Sequence, residues 1–291
     1  MTKVTSAYAS AYAESEGVVL FIADCTPPRS GDSSFVNRVQ GMDVEFVCVA
    51  YNPGKLVRAD PVVTAYNIKE RLGRDVVFNI ATRDMNKIAL GSSLLGAHML
   101  GLENVIVVQG DDFTVTESDR VSAVNDFTAT GLLRSVRDMN EGLDYRGLPL
   151  RIPTDLCLGA TLDTGRNLHK EALLTLRKVQ SGAEYFITQP IYSISDRKRF
   201  LDEYERITVG PVHFPVFWGI QVLHKDGIFL GQVSEEAMTD LEKGRPGTDI
   251  AVELIQALKD VGVHGIYIIP PILRGGVRDY DAAQRVVETF R

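Results

Sequence analysis

Short apolar runs alternate with segments of helical periodicity along the whole 291-residue chain. Runs rich in β-branched and aromatic residues, bounded by turn residues, read as strands buried on both faces. Eight are predicted, at 18–23, 45–50, 75–80, 104–109, 155–161, 184–188, 215–220 and 265–269. Between them the apolar spacing changes from continuous to 3.6-residue periodicity. It predicts helices at 60–72, 85–100, 167–181, 195–205, 248–261 and 277–290. The third of these carries Leu168, Leu173, Leu174, Leu176 and Val179 on one stripe, with Lys170, Arg177 and Lys178 beside it. Residues 114–125 are polar and predict a long loop. Residues 227–247 are less regular and predict a lid or a surface insertion.

Eight strands alternating with helical segments in fewer than 300 residues predict an α/β fold, a (β/α)8 TIM barrel in a single domain, whose usual size is about 250 residues. An open doubly wound sheet also alternates, but its first strand runs into a Gly-rich phosphate loop. Here the first strand runs into Asp24-Cys25-Thr26-Pro27-Pro28-Arg29. Two prolines cannot supply the backbone N–H groups of a phosphate-cradling turn. Residues 1–16 are polar and small, lack the apolar stretch of a signal peptide, and are expected to form a flexible N-terminal segment.

Composition narrows the function. The hydrophobic fraction is 45%, enough for a large core, and the net charge is −7. No basic cluster suits a phosphate backbone or a membrane surface, so nucleic-acid and membrane partners are not expected. No run of 18 apolar residues predicts a membrane span. The three cysteines, Cys25, Cys48 and Cys157, have no metal-ligand spacing and fit a reducing, cytoplasmic setting. The five histidines form no ligand pair, and no nucleophile elbow occurs. No metal is therefore expected.

In a barrel, chemistry gathers where the strands end. Those positions hold Asp24, Asn79, the Gln109-Gly110-Asp111-Asp112 turn, Thr188-Gln189-Pro190 and Gln221. Several have ordinary structural readings. Asp84 and Asn167 read as helix N-caps, Asp112 as a loop residue, and Lys178 as a solvated helical lysine. Asp111 and Gln189 directly end apolar strands, where an unpaired polar group is expensive. Carboxylates and amides around a cavity suit a nitrogen-rich aromatic ligand, because they match the amide-like edge of a pterin or flavin. A carboxylic acid can also protonate a leaving ring nitrogen.

Six segments in order carry a family resemblance. They are Asp24-Cys25-Thr26-Pro27-Pro28-Arg29; Asn79-Ile80-Ala81-Thr82-Arg83-Asp84-Met85-Asn86; Leu95-Gly96-Ala97-His98 with Gly110-Asp111; Gly159-Ala160 with Arg166-Asn167-Leu168; Lys178-Val179-Gln180-Ser181-Gly182-Ala183 with Ile187-Thr188-Gln189-Pro190; and Gly265-Ile266-Tyr267 with Pro270-Pro271. The chain resembles the methylenetetrahydrofolate reductase family, in the branch also fused to homocysteine methyltransferases. That resemblance implies an FAD-containing barrel. Reduced flavin would pass a hydride to 5,10-methylenetetrahydrofolate to give 5-methyltetrahydrofolate, with the cofactor doing the redox chemistry. NADH, NADPH or a partner electron-donor protein would reduce the flavin, and a homo-oligomer is possible.

Carried over by position, the resemblance implies catalytic roles for Asp24 as general acid, for Asp111 beside flavin and pterin, and for Gln189 on the pterin. It implies cofactor contacts from Asn79, Gly110, Phe127, Thr128, Ala129, Glu171, Arg177 and Lys178, and substrate contacts from Gln189 and Tyr192. Asp24 replaces the family's glutamate and Asn79 its histidine. Arg29, Arg83 and Arg274 are candidates for the folate tail by charge alone. Two other functions fit the same residues. One is a divergent pterin-binding barrel served by a partner electron donor, and the other is a non-catalytic pterin or one-carbon module of a methyl-transfer complex.

Overall fold

The computed structural model describes residues 1–14 and 18–291. Eight parallel strands close a barrel in sequence order. They are β1 (Leu20–Cys25), β2 (Phe46–Val49), β3 (Asp75–Ala81), β4 (Asn104–Val108), β5 (Cys157–Leu162), β6 (Tyr185–Pro190), β7 (Val216–Gln221) and β8 (Gly265–Ile269). Each agrees with a predicted strand to within two residues. Closure runs through β8 against β1, with Leu20 opposite Gly265 and Ala23 opposite Ile268. The fold is the single-domain (β/α)8 barrel the alternation predicts.

Strand alternation splits the apolar residues into two cores. One set, with Ile22, Phe46, Cys48, Val77, Ile106, Tyr185, Phe217 and Tyr267, fills the barrel. The other, with Phe21, Val47, Phe78, Val105, Phe186 and Ile266, packs outward under the helices. Gly159 belongs to this geometry, because a Cβ there would lie 2.4 Å from Tyr185 Cζ and 2.8 Å from Ile106 Cγ1. The Tyr185 ring occupies the space a side chain would need. Gly159→Ala is expected to lose about 1–3 kcal/mol by overpacking; urea unfolding of the two proteins checks this.

The helices are α1 (Val4–Glu14), α2 (Pro61–Leu72), α3 (Lys87–Met99), the single turn α4 (Val115–Ser118), α5 (Ala129–Asn140), α6 (Leu168–Gln180), α7 (Ile194–Thr208), α8 (Glu235–Glu242), α9 (Gly247–Asp260) and α10 (Tyr280–Glu288). Their ends follow local chemistry. Asp60 caps α2 ahead of Pro61, and Gly73 ends it in the left-handed region. Asn167 caps α6, as its ordinary reading predicts. A capping box of Ser193 and Asp196 starts α7. Among the described residues no helix is long and apolar enough to cross a membrane.

Two differences from the sequence reading matter. The N-terminal segment is not a flexible tail up to residue 14: Val4–Glu14 is helical. Val4 and Ala11 join the barrel-interior cluster. The buried Asn104 holds this helix to the barrel floor, accepting from Val4 N at 3.0 Å and donating to Thr2 O at 2.9 Å. Residues 15 and 16 of the expected segment lie outside the described residues. Second, α5 and α8 occupy stretches with no predicted helix, and residues 114–125 include the turn α4. The β1–β2 crossover, where no helix is predicted, carries only a 3-10 turn at Ser33–Arg38, capped by Asp32 and burying Val36 alone.

Candidate active site at the barrel mouth

The polar residues at the upper end of the barrel form a band. Asp24 lies opposite Cys48 in the β1–β2 register. It is 5% exposed. Tyr267 on β8 donates its hydroxyl to Asp24 Oδ1 at 2.7 Å. Arg278 places Nη2 3.1 Å from Oδ2, an ion pair without an aligned N–H···O bond. On β2 and β3 the band continues, with the Cys48 thiol donating to Asn79 Oδ1 at 3.4 Å. Burial, then the Asp24 charge, pushes the Tyr267 phenol and the Cys48 thiol well above their ordinary values. Both partners of Asp24 are donors, so its oxygens stand here as acceptors.

The β4 turn is built by Gly110 and Arg83. Gly110 has φ +87°, and a Cβ there would lie 3.1 Å from Arg83 Cβ. Arg83 Nη1 donates to Asp111 O at 2.9 Å. Its other nitrogens grip Asp84 at 2.6 and 2.7 Å. The Asp84 reading as an N-cap is therefore corrected: Asn86 caps α3, accepting from Ala89 N at 2.9 Å. Beside this pair, burial and the Asp84 charge push the Tyr51 phenol up to about 12. Arg83 gives one edge to Asp84 and Nη1 to Asp111 O and is only 5% exposed, which places it in the turn's framework. The Asp111 carboxylate is exposed and makes no hydrogen bond or ion pair among the described residues.

Gln189 stands on a bulge. The β6–β7 register shifts between Ile187 and Pro190. Thr188 makes the bulge possible, accepting from Gly219 N at 2.7 Å and donating to Gln189 O at 2.7 Å. Gly219 is needed opposite, because a Cβ there would lie 2.5 Å from Thr188 O. The bulge exposes the Gln189 amide, which has no protein partner among the described residues.

Tyr192 does not present a free hydroxyl. It lies 2.7 Å from Leu230 O and 3.0 Å from Gln221 Oε1. Buried Gln221 also accepts from Leu230 N and donates to Ile228 O. The two side chains thereby fasten residues 228–230, and Leu230 packs on the barrel-interior cluster. Part of the predicted lid or insertion thus rests on the mouth, while its remainder forms α8.

The expected flavin-holding positions do not converge. Lys178 and Glu171, read as solvated or phosphate-facing, are buried under β5 with side chains 7% and 4% exposed and 3.9 Å apart. Lys178 Nζ donates to Thr161 O at 2.5 Å, and Asp163 N donates to Glu171 Oε1 at 3.2 Å. Burial pushes the Glu171 carboxyl up and the Lys178 ammonium down. Arg177 points from the outer face of α6 and is exposed. Thr128 caps α5, accepting from Gly131 N. Phe127 lines a separate groove between α3 and α5, with Lys87 Nζ 5.1 Å from its ring centre. Ala129 is the first residue of α5. Of the two cations at these positions, Lys178 is buried and engaged, while Arg177 stands exposed on the outer face of α6, so they do not gather around a dinucleotide's phosphates as the resemblance to an FAD site implies.

Asp24, Asn79, Gly110, Asp111, Gln189 and Tyr192 therefore sit at or just above the strand ends, whereas Arg177, Lys178 and Phe127 lie elsewhere. Reading strand ends missed Tyr267 and Arg278. Tyr267 lies two residues before the end of β8, so only the alternation of an assembled barrel reveals that it faces Asp24.

The sequence matches the family described as methylenetetrahydrofolate reductase over residues 10–226, more than half of the chain. No curated protein matches it. Among solved structures, an uncharacterized protein from Clostridium thermocellum is similar, with 14% identity and a TM-score of 0.66. The match covers 94% of this chain and 96% of the other; that protein is described as binding two copies of 5-methyl-5,6,7,8-tetrahydrofolic acid. A 2,3-dimethylmalate lyase of the PEP mutase/isocitrate lyase superfamily is similar over 92% of this chain and 80% of the other, at 11% identity and a TM-score of 0.52. At such identities the two structures speak for the barrel alone. The family match and the ordered strand-end residues together give the assignment: the chain belongs to the methylenetetrahydrofolate reductase family.

Proposed function

We propose that the protein binds a reduced folate, 5,10-methylene- or 5-methyltetrahydrofolate, at the C-terminal mouth of the barrel. The observation that carries this reading is the unpartnered Gln189 amide, held outward on its bulge by Thr188 and Gly219. An amide offers a donor and an acceptor together, which matches the pterin edge. The exposed Asp111 carboxylate adds an acceptor for the ring's N–H groups. Asn79 and the Tyr267–Asp24 pair form the floor. Family membership supports the choice of ligand, as does the folate bound by the Clostridium thermocellum protein.

Flavin-dependent reduction of 5,10-methylenetetrahydrofolate by NADH or NADPH is the second reading, and the family match favours it. The buried Lys178–Glu171 pair weighs against FAD being held as the resemblance implies. No chemical step is therefore assigned through that cofactor.

Calorimetric titration with 5-methyltetrahydrofolate tests the first reading. Gln189→Ala should weaken binding about tenfold, the usual effect of losing a pair of hydrogen bonds to a ligand. Unchanged affinity in that variant would remove Gln189 from the pterin site. An absorbance spectrum during FAD addition tests the second. Flavin bands that bleach with NADH or NADPH and return with 5,10-methylenetetrahydrofolate would establish the reductase.

A further inference from the structure

Beside Asp24, on the side of the mouth that lacks a crossover helix, lies a cavity of about 330 Å³. Arg29, Arg38, Arg58 and Arg278 line it, with Phe35 and Tyr280 as apolar walls. Four guanidinium groups from three strand-end connections converge here. Among the described residues, the one carboxylate paired with any of them is Asp24, on Arg278. Asp32, within electrostatic range of Arg38, is engaged in capping Ser34.

Like charges are not gathered in this way by folding alone. Burial, then repulsion from Arg29 and Arg278, pushes Arg58 below its ordinary value. Arg58 Nη1 donates to Pro27 O at 2.9 Å, and Arg278 Nε donates to Thr26 Oγ1 at 3.1 Å. Those bonds orient the two planes but do not satisfy them. Arg58 Nε and Arg278 Nη1 are buried without an acceptor, and the Arg278 side chain is only 10% exposed. Buried N–H groups without partners are uncommon in finished structures and call for an absent acceptor. Guanidinium forks match carboxylate and phosphate oxygens in particular.

We propose that this pocket is an oxyanion site, that it takes the carboxylates or phosphates of a ligand bearing more than one of them, and that its occupant shares Arg278 with Asp24. The site then does two things. It selects polyanionic ligands over neutral ones, and through Arg278, whose Nη2 faces Asp24 and whose Nη1 is unpartnered, it links the occupant to the carboxylate at the barrel mouth. Two sources carry this chemistry: a glutamyl chain on the proposed folate, or a phosphate of a nucleotide. The inference goes beyond folate binding and stands or falls separately.

Thermal unfolding of the full chain with inorganic phosphate, with tri-γ-glutamate and with the 2′-phosphate nucleotide NADP+ tests it, against chloride at equal ionic strength. Stabilisation that saturates with at least one of the three supports the site. The strongest probe identifies the source. Arg38→Gln removes an exposed side chain and should fold normally; it should weaken that probe's binding about tenfold, as loss of a charged hydrogen bond does. Arg58→Gln should do the same or more. Equal response to chloride, or unchanged binding in Arg38→Gln and Arg58→Gln, would overturn the proposal. Titration with monoglutamyl 5-methyltetrahydrofolate in parallel reports the pterin site separately.

Discussion

Asp24→Ala should destabilise the protein by about 3–5 kcal/mol, the range for breaking a buried ion pair from one side. Two buried donors lose their acceptor at once. Tyr267 loses the oxygen it holds at 2.7 Å, and Arg278 loses the carboxylate 3.1 Å away. Arg278 retains only its bond to Thr26, which does not neutralise it. Asp24→Ala combined with Arg278→Met should recover much of the loss, since an apolar side chain of similar length leaves no stranded charge. Urea unfolding of the single and double variants measures both. A single variant within about 0.5 kcal/mol of the parent, the range of neutral surface changes, would mean that Arg278 finds another partner. The same variants separate two roles for Asp24. If the folate chemistry depends on it as an acid, Asp24→Asn should slow turnover while retaining an acceptor for Tyr267.

Lys178→Ala should also act strongly, by about 3 kcal/mol. It leaves the Glu171 carboxyl buried and removes the donor to Thr161 O. The sign with pH follows from Glu171. Burial already raises its folded value above the ordinary 4.5. A raised folded value stabilises the fold fully below the unfolded value, and that stabilisation is lost as pH rises through the folded one. Without the attraction of Lys178 the folded value rises further. The deficit of Lys178→Ala relative to the parent should therefore be constant in acid and grow once pH passes the parent's own folded value for Glu171, which already lies above 4.5. Glu171→Gln in the same background should flatten that dependence. Stability measured by urea unfolding across pH gives the answer directly. A deficit that does not vary with pH would show that Glu171 stays neutral in both proteins.

Both variants concern residues for which the family resemblance implied chemical roles. In each case the assembled structure supplies a partner that the linear sequence does not show. Lys178 reads as one polar residue beside an apolar stripe, and such residues are usually solvated. It is buried because α6 is turned so that residues 171, 172, 175 and 178 face β5. The stripe of Leu168, Leu173, Leu174, Leu176 and Val179 carries no sign of that rotation. Asp84 reads as a helix cap, but Arg83 beside it takes both its oxygens, and Asn86 caps the helix instead.

The strands were legible for a simple reason. Parallel strands buried on both faces need unbroken apolar runs, and local composition records that need. Helices with few contrasts were not legible. In α1 the alanines, serines and tyrosines give little amphipathic pattern, although Val4 and Ala11 close the barrel floor. The stretch that forms α5 is the exception: it carries a clear apolar stripe of Leu132, Leu133, Val136 and Met139 behind a Thr128 cap, directly after a long polar run.

By itself, the sequence determines the alternation, the order of eight strands and the polar residues where they end, because burial and turn chemistry are local demands. It also carries the family. Tertiary structure alone decides which of those polar residues are free. Gln189 is exposed because a bulge fits against Gly219. Lys178 is buried because a helix rolls inward. Arg278 meets Asp24 across 254 residues of chain only because β8 closes on β1. Partnership between charges depends on distances through space, and those exist only once the barrel has closed.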